Sequence, residues 1–274
     1  MRARRIRQLL EAKTMFSRDD FALMHQDALS LRAERLRSAL LKLLASHTDM
    51  RIRQAAGHLQ SWDGRMEPDR VGATLFEVFF ARWVRAVVLE RFEESTAAFV
   101  AAGASGLAAS LLLDDPGAWF AAGKREAAVL RAMTAALDWL TERLGPDMSH
   151  WSWGRLHVLT LPHVLSGRGD LGRLLDQPSL PVSGNMHTVC NTGLGANFEG
   201  RTGAGFRLIA DLASTPPVLW SVDAQSQSGC PGSPHYGDQL ETWRQGSYYP
   251  LPLDPAEASR AVQSRLILTP TAAS

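Results

Sequence analysis

Cysteine is all but missing from this sequence: Cys190 and Cys230 are the whole complement in 274 residues. Two thiols in a chain of this length do not make a disulfide framework, and both are read as free. Neither a C-x-x-C nor an H-E-x-x-H pattern occurs, so the commonest zinc signatures are missing too. There is also no surplus of one charge. Lys and Arg number 29 against 28 for Asp and Glu, a formal net charge of +1. That balance gives no general reason to expect nucleic acid or an anionic membrane as partner. Long apolar runs are scarce. The longest, "AAFVAAGASGLAASLLL", is broken by Gly and Ser, whereas a membrane span needs about 20 predominantly apolar residues. The opening "MRARRIRQLLEAK" is basic, but no apolar block of roughly 7–15 residues follows it, so it does not read as a secretory signal.

What is present is enough apolar material, 45% of the chain, to bury a large core. It is written in two grammars. Residues 1–148 read as helix after helix: "IRQLLEAK", "DFALMHQDALSLRAERLRSALLKLLAS" and "VGATLFEVFFARWVRAVVLERFEE" each place apolar residues at helical spacing. Ser17 is suited to cap the second of these, with Asp19 and Asp20 in the first turn. "SWDGRMEPDR" breaks the series at Gly64 and Pro68, and "REAAVLRAMTAALDWLTERLG" is a further helix stopped by Gly145-Pro146. Residues 149–274 change period. "GRLHVLTL", "GFRLIADL" and "PVLWSV" read as strands between Gly, Pro, Asn and Ser clusters. Strands gathered after helices predict an α+β fold rather than alternating βαβ units. The boundary sequence "MSHWSWG" is too aromatic for a flexible linker. No repeat or low-complexity tract is found.

Several residue clusters could carry chemistry. His157, His163, His187 and His235, with Asp170, Asp211, Asp223 and Asp238, are potential zinc ligands. Their spacing is poor, and hydrogen-bonded loop and strand residues are the better reading. "SPHYGDQ" brings Ser233, His235 and Asp238 within six residues. A nucleophile-base-acid relay draws its members from distant segments, so a loop held by Pro234, His235, Tyr236 and Gln239 is favoured. "GNMHTVCNTGLGANFEG" has G-x-G spacing with neither a following helix nor G-K-[ST]. Arg2, Arg4, Arg5 and Arg7 could meet phosphates, but Glu11 follows and a solvated helix face is the reading. The first helix has nothing before it to serve as a cap, which suits either a frayed terminus or a coding start placed too late. The segment "SQSGCPGSPHYGDQLETWRQGSYYPLPL", Ser226 to Leu253, is too rich in Gly, Pro and Ser for a helix and too aromatic for a disordered tail.

That segment resembles the close of the penicillin acylase family, QSG-x-P-x-SPHY-x-DQ-x-x-x-W-x-x-G-x-Y-x-PL. Others match in order. "WSWGRLHVLTLPHVL" is similar to the family's W-x-WG-x-x-H segment, "PVSGNMHTVCNTG" to its GG-x-x-TVN-like loop and "GAGFRLIADLA" to its GAS-x-R-x-I-x-DL strand. "SWDGRMEPDRVGATLFEVFF" resembles WDG-x-M-x-x-x-x-x-AT-x-FE. The resemblance covers almost the whole chain. It implies the C-terminal part of an αββα sandwich with a helical excursion, from an amidohydrolase cut into α and β chains. There a freed N-terminal Ser attacks an amide with its own amine as base, while backbone N–H and an Asn side chain hold the oxyanion. The implied substrates are acylated amines such as β-lactams or acyl-homoserine lactones.

By the same resemblance the nucleophile, the oxyanion donors and a calcium site fall upstream of Met1. No catalytic residue, metal ligand or cofactor is therefore assigned in this chain. Arg2 alone is carried over, as a residue lining the active site. The acid often found in the TVN loop is replaced here by Gly184-Asn185-Met186-His187. The implied partners are an α chain and the front of the β chain, and the compartment the resemblance implies is periplasmic or otherwise extracytoplasmic, with no signal in this chain. Without those partners the chain is expected to be inactive and aggregation-prone. A non-catalytic remnant or interaction subunit is the alternative.

Overall fold

The computed structural model describes residues 1–45, 47–262 and 264–269. The chain divides into two compact units, Met1–Met15 with Met24–Ala204 and Phe16–Leu23 with Gly205–Ser274. The helices are α1 (Arg2–Glu11), α2 (Arg18–His25), α3 (Leu31–Leu44), α4 (Met50–Ser61), α5 (Val71–Leu89), α6 (Glu94–Ala101), α7 (Ser105–Leu113), α8 (Lys124–Leu144), α9 (Leu171–Leu175), α10 (Leu240–Gln245) and α11 (Pro255–Arg260). The strands are β1 (Val158–Leu159), β2 (Leu180–Pro181), β3 (Thr192–Leu194), β4 (Gly200–Gly203), β5 (Phe206–Asp211), β6 (Val218–Asp223) and β7 (Tyr249–Leu251). Helix first and mainly antiparallel sheet later is the α+β architecture the two grammars predict.

In the first unit α5 is the axis of the core. Its apolar run is buried nearly all round, with Leu75, Phe76, Phe79, Trp83 and Val87 sealed from solvent. Helices α4, α6, α7 and α8 pack against it. Gly72 makes the close approach to α4 possible, since a Cβ there would sit 2.4 Å from the Trp62 side chain. Trp83 donates Nε1–H to Ala108 O at 2.7 Å, so the largest core side chain leaves no donor unmet. Helix α8 ends as its sequence predicts, at Gly145 with φ 92°. The small sheet of this unit has the order β2-β1-β4-β3, with β1 and β4 parallel and the other pairs antiparallel.

In the second unit β5, β6 and β7 form an antiparallel sheet in sequence order. One face carries Arg207, whose guanidinium lies 4.3 Å over Trp243 and donates to Trp243 O at 2.7 Å. Trp220 on that face lies 4.4 Å beneath the Arg18 guanidinium.

Three expectations need correction. The long segment following Ser17 is two helices, not one. Ser17 caps the first, exchanging bonds with Asp20, and Ser30 caps the second by accepting from Ala33 N–H at 3.2 Å. Between them Asp27 is drawn inward by arginines, which a straight helix would prevent. "GRLHVLTL" forms only two residues of strand, because Trp153–Arg155 is a 3-10 turn that sends His157 into the core. The stretch Ser226–Leu253 does hold a helix, α10, ended by Gly246 at φ 75°. Its six residues "LETWRQ" contain neither Gly nor Pro, and Leu240 and Trp243 bury one face.

Candidate functional site

The site is built where α1 meets the loop between β2 and β3. Gly184 opens that loop at φ +88°, and a Cβ there would stand 1.9 Å from Cys190 O, so only glycine fits. Asn185 and Thr188 then close a tight turn on themselves. Asn185 N–H donates to Thr188 Oγ1 at 2.9 Å, and Asn185 Oδ1 accepts from His187 N–H at 2.7 Å and Thr188 N–H at 3.2 Å. The Thr188 hydroxyl donates to Cys190 O at 2.5 Å. Asn185 and Thr188 are both fully buried.

This turn aims carbonyls at α1. Arg2 donates Nε–H to Thr188 O at 2.8 Å, one Nη to Asn191 Oδ1 at 2.8 Å, and the same Nη to Met186 O. All three acceptors are neutral, and among the described residues no carboxylate pairs with Arg2. Its neighbours differ. Arg5 grips Asp27 with two bonds, at 2.7 and 3.2 Å, and that contact raises its pKa further. Arg65 also meets Asp27, at 3.4 Å, and Glu67 at 3.1 Å, while the Ser183 hydroxyl donates to Glu67 at 2.6 Å. Arg4 and Arg7 are exposed. The arginine cluster is thus not one solvated face: Arg2 and Arg5 fasten the helix and the other two face water.

Beneath the turn lies a buried ion pair. Arg32, 8% exposed, donates to both oxygens of Glu77, 3% exposed, at 2.7 and 2.8 Å. Glu77 Oε1 also accepts from Asn185 Nδ2 at 2.8 Å. His187 is half-buried above this pair. Burial, then the Arg32 charge, holds its pKa down at about 4. His157 is fully buried between Phe198 O at 2.8 Å and Thr192 Oγ1 at 2.7 Å. A carbonyl only accepts, so Nδ1 carries the proton. Burial lowers the pKa of His157 as well, and it is a neutral structural histidine.

The other residues singled out in the sequence are dispersed. His163 Nδ1 accepts from Leu165 N–H at 3.2 Å, Asp170 precedes α9 without a side-chain cap bond, and Asp211 and Asp223 accept from the turns that follow them. His235 pairs with Asp238 at 2.8 Å on the surface, but Ser233 Oγ accepts from the His235 backbone rather than facing the ring. Gln239 Oε1 holds Asp223 N–H at 2.9 Å. Among the described residues no group of three His, Cys, Asp or Glu could hold a metal ion. No disulfide joins Cys190, which is buried, to Cys230, which is exposed. Asp27, Arg32, Glu77, Asn185 and Thr188 were not among the sequence candidates. One signal pointed at Glu77: a single carboxylate inside the apolar run "TLFEVFF" needs a buried partner.

A solved structure shows the same architecture: the thermostable penicillin G acylase from Alcaligenes faecalis matches with a TM-score of 0.59 over 96% of this chain and 51% of that one, at 17% identity. The fold is therefore that of the N-terminal-nucleophile hydrolases. Residues 1–260 match the sequence model of penicillin amidase, and the chain belongs to that family. It is 28% identical over 309 residues to the acyl-homoserine lactone acylase QuiP of Pseudomonas aeruginosa, covering 98% of this chain and 36% of that protein. It is 29% identical over 263 residues to the penicillin acylase 2 proenzyme of Pseudomonas sp. (strain SE83), covering 91% and 33%. The chain spans about a third of the length of the curated relatives it matches.

Proposed function

We propose that this chain is the C-terminal part of a penicillin-acylase-like amidohydrolase and supplies one wall of its substrate pocket. The nucleophilic Ser, its α-amine base and the oxyanion donors come from polypeptide not contained here, an α chain and the front of a β chain. The reaction is hydrolysis of a linear amide in a small acylated amine, a β-lactam or an acyl-homoserine lactone. Family membership and the two named relatives support this reading. The observation that carries it to a residue is Arg2. Its guanidinium is fixed at three points by neutral oxygens, so its charge is oriented without being cancelled. A half-buried cation of that kind favours an anionic or strongly polar group of the substrate beside it. On this reading Arg2 lines the active site and no residue of this chain is the nucleophile.

The test begins with the DNA upstream of the Met1 codon. An open frame encoding a Gly/Ser processing junction and a Ser nucleophile is expected. Co-expressed with that region, the chain should release amine from an acylated aniline, and Arg2→Ala should weaken hydrolysis of anionic substrates more than neutral ones. A frame that closes at once, with no complementing region nearby, overturns the reading in favour of a non-catalytic remnant.

A further inference from the structure

Arg2 is held by carbonyls, and a carbonyl is only as well placed as the turn that carries it. Met186 O and Thr188 O belong to the turn that Asn185 organises, and the Asn185 side chain ties that turn to the buried Glu77. Its two amide atoms do different work. Oδ1 accepts from His187 N–H and Thr188 N–H, which sets the peptide plane that carries Met186 O and the next one, leading into Thr188 O. Nδ2 donates to Glu77 Oε1 at 2.8 Å, across 108 residues of sequence. Glu77 cannot swing to follow a loose turn, because Arg32 holds both its oxygens and is itself stacked 4.3 Å over Phe80.

We propose that Asn185 is a positioning residue: it transmits the fixed geometry of the buried Arg32–Glu77 pair to the Met186 and Thr188 carbonyls, and through them sets where the Arg2 guanidinium points. The substrate-facing role of Arg2 rests on the function proposed above, but the positioning itself does not. The amide is the group the place demands. An oxygen must face two backbone N–H groups while a donor faces a carboxylate, and asparagine presents both on one short side chain. A carboxylate here would set like charges against each other at hydrogen-bond distance from Glu77.

The experiment reads Arg2 directly. In the chain with 15N-labelled arginine, co-expressed with the complementing region where the chain alone aggregates, hydrogen exchange at Arg2 Nε–H is compared with that at Arg5 Nε–H, whose partner Asp27 lies outside the turn. Asn185→Ala should speed exchange at Arg2 by about tenfold or more, the loss expected when the hydrogen bonds of a charged donor are loosened, and leave Arg5 unchanged. Asn185→Asp keeps the acceptor and removes the donor. It should loosen Arg2 as Asn185→Ala does, because it sets a second carboxylate against Glu77. Equal acceleration at Arg2 and Arg5 would mean general loosening and overturn the proposal, as would no change at Arg2. Asn191→Ala gives a second route: it removes one Arg2 acceptor without touching the turn, and its effect on Arg2 should be smaller than that of Asn185→Ala. In the assembled enzyme Asn185→Ala should raise KM for an anionic substrate with little change in kcat. If exchange responds and KM does not, the positioning stands and the substrate role of Arg2 falls.

Discussion

Replacing Glu77 by Gln should be among the costliest near-isosteric changes in the first unit. The carboxylate is 3% exposed and receives three hydrogen bonds, two from Arg32 and one from Asn185. Glu77→Gln preserves the volume and leaves Arg32 as a buried cation with no counter-charge. Breaking a buried pair from one side costs about 3–5 kcal/mol, against a total stability of about 5–15 kcal/mol for a typical domain. The pair is not thereby net stabilising. Arg32→Met with Glu77→Leu removes both charges together and also the buried Arg32 Nε that has no partner. The double variant should recover most of the loss, to within about 1–3 kcal/mol of the parent, the remainder reflecting the acceptor taken from Asn185 Nδ2. Urea unfolding followed by tryptophan fluorescence reports on this unit, since Trp83, Trp151 and Trp153 are fully buried in it. The slope with urea should stay constant while the midpoint moves. A loss below about 1 kcal/mol for Glu77→Gln, or a double variant as unstable as the single one, would refute the reasoning.

His187 and the second sheet give further outcomes. With its folded pKa at about 4, below the ordinary 6.5, His187 is neutral in the fold and binds protons more readily when unfolded. Its contribution is therefore present above pH 6.5 and lost as pH falls toward 4. Discounted for its partial exposure it amounts to about 1–2 kcal/mol, and His187→Gln should flatten the pH dependence of the melting temperature in that window. In the second unit Phe206, Leu208, Tyr249 and Leu251 share one sheet face and are 58%, 43%, 45% and 44% exposed. Phe206→Glu with Leu208→Lys should lower light scattering of the concentrated chain without changing its circular dichroism. Unchanged scattering would remove that face as the cause of association.

Local chemistry made the fold legible wherever it operates over a few residues. The apolar run of α5, the stop of α8 at Gly145 and the alternation of β5 could all be read directly. What escaped was set by distant partners. The break after His25 exists because Asp27 turns inward to Arg5 and Arg65, 22 and 38 positions away. The pairing of Glu77 with Arg32 and Asn185 spans 45 and 108 positions. No period within a helix or strand encodes such a meeting. The family's motif singles out Arg2 for a proposed role, but the three oxygens that hold it are not readable from the sequence, because two of them are main-chain atoms and any residue type brings those.

Helix α1 has no buried residue, and among the described residues the side-chain hydrogen bonds that hold it come from the guanidinium groups of Arg2 and Arg5. The core beneath would lose almost no apolar contact if that helix lifted away. Local opening there therefore costs far less than global unfolding, and Arg2, the residue proposed to line the site, rides on a helix that buries no residue. On the proposed reading, changes to α1 alter the surroundings of Arg2 while the melting temperature barely registers them.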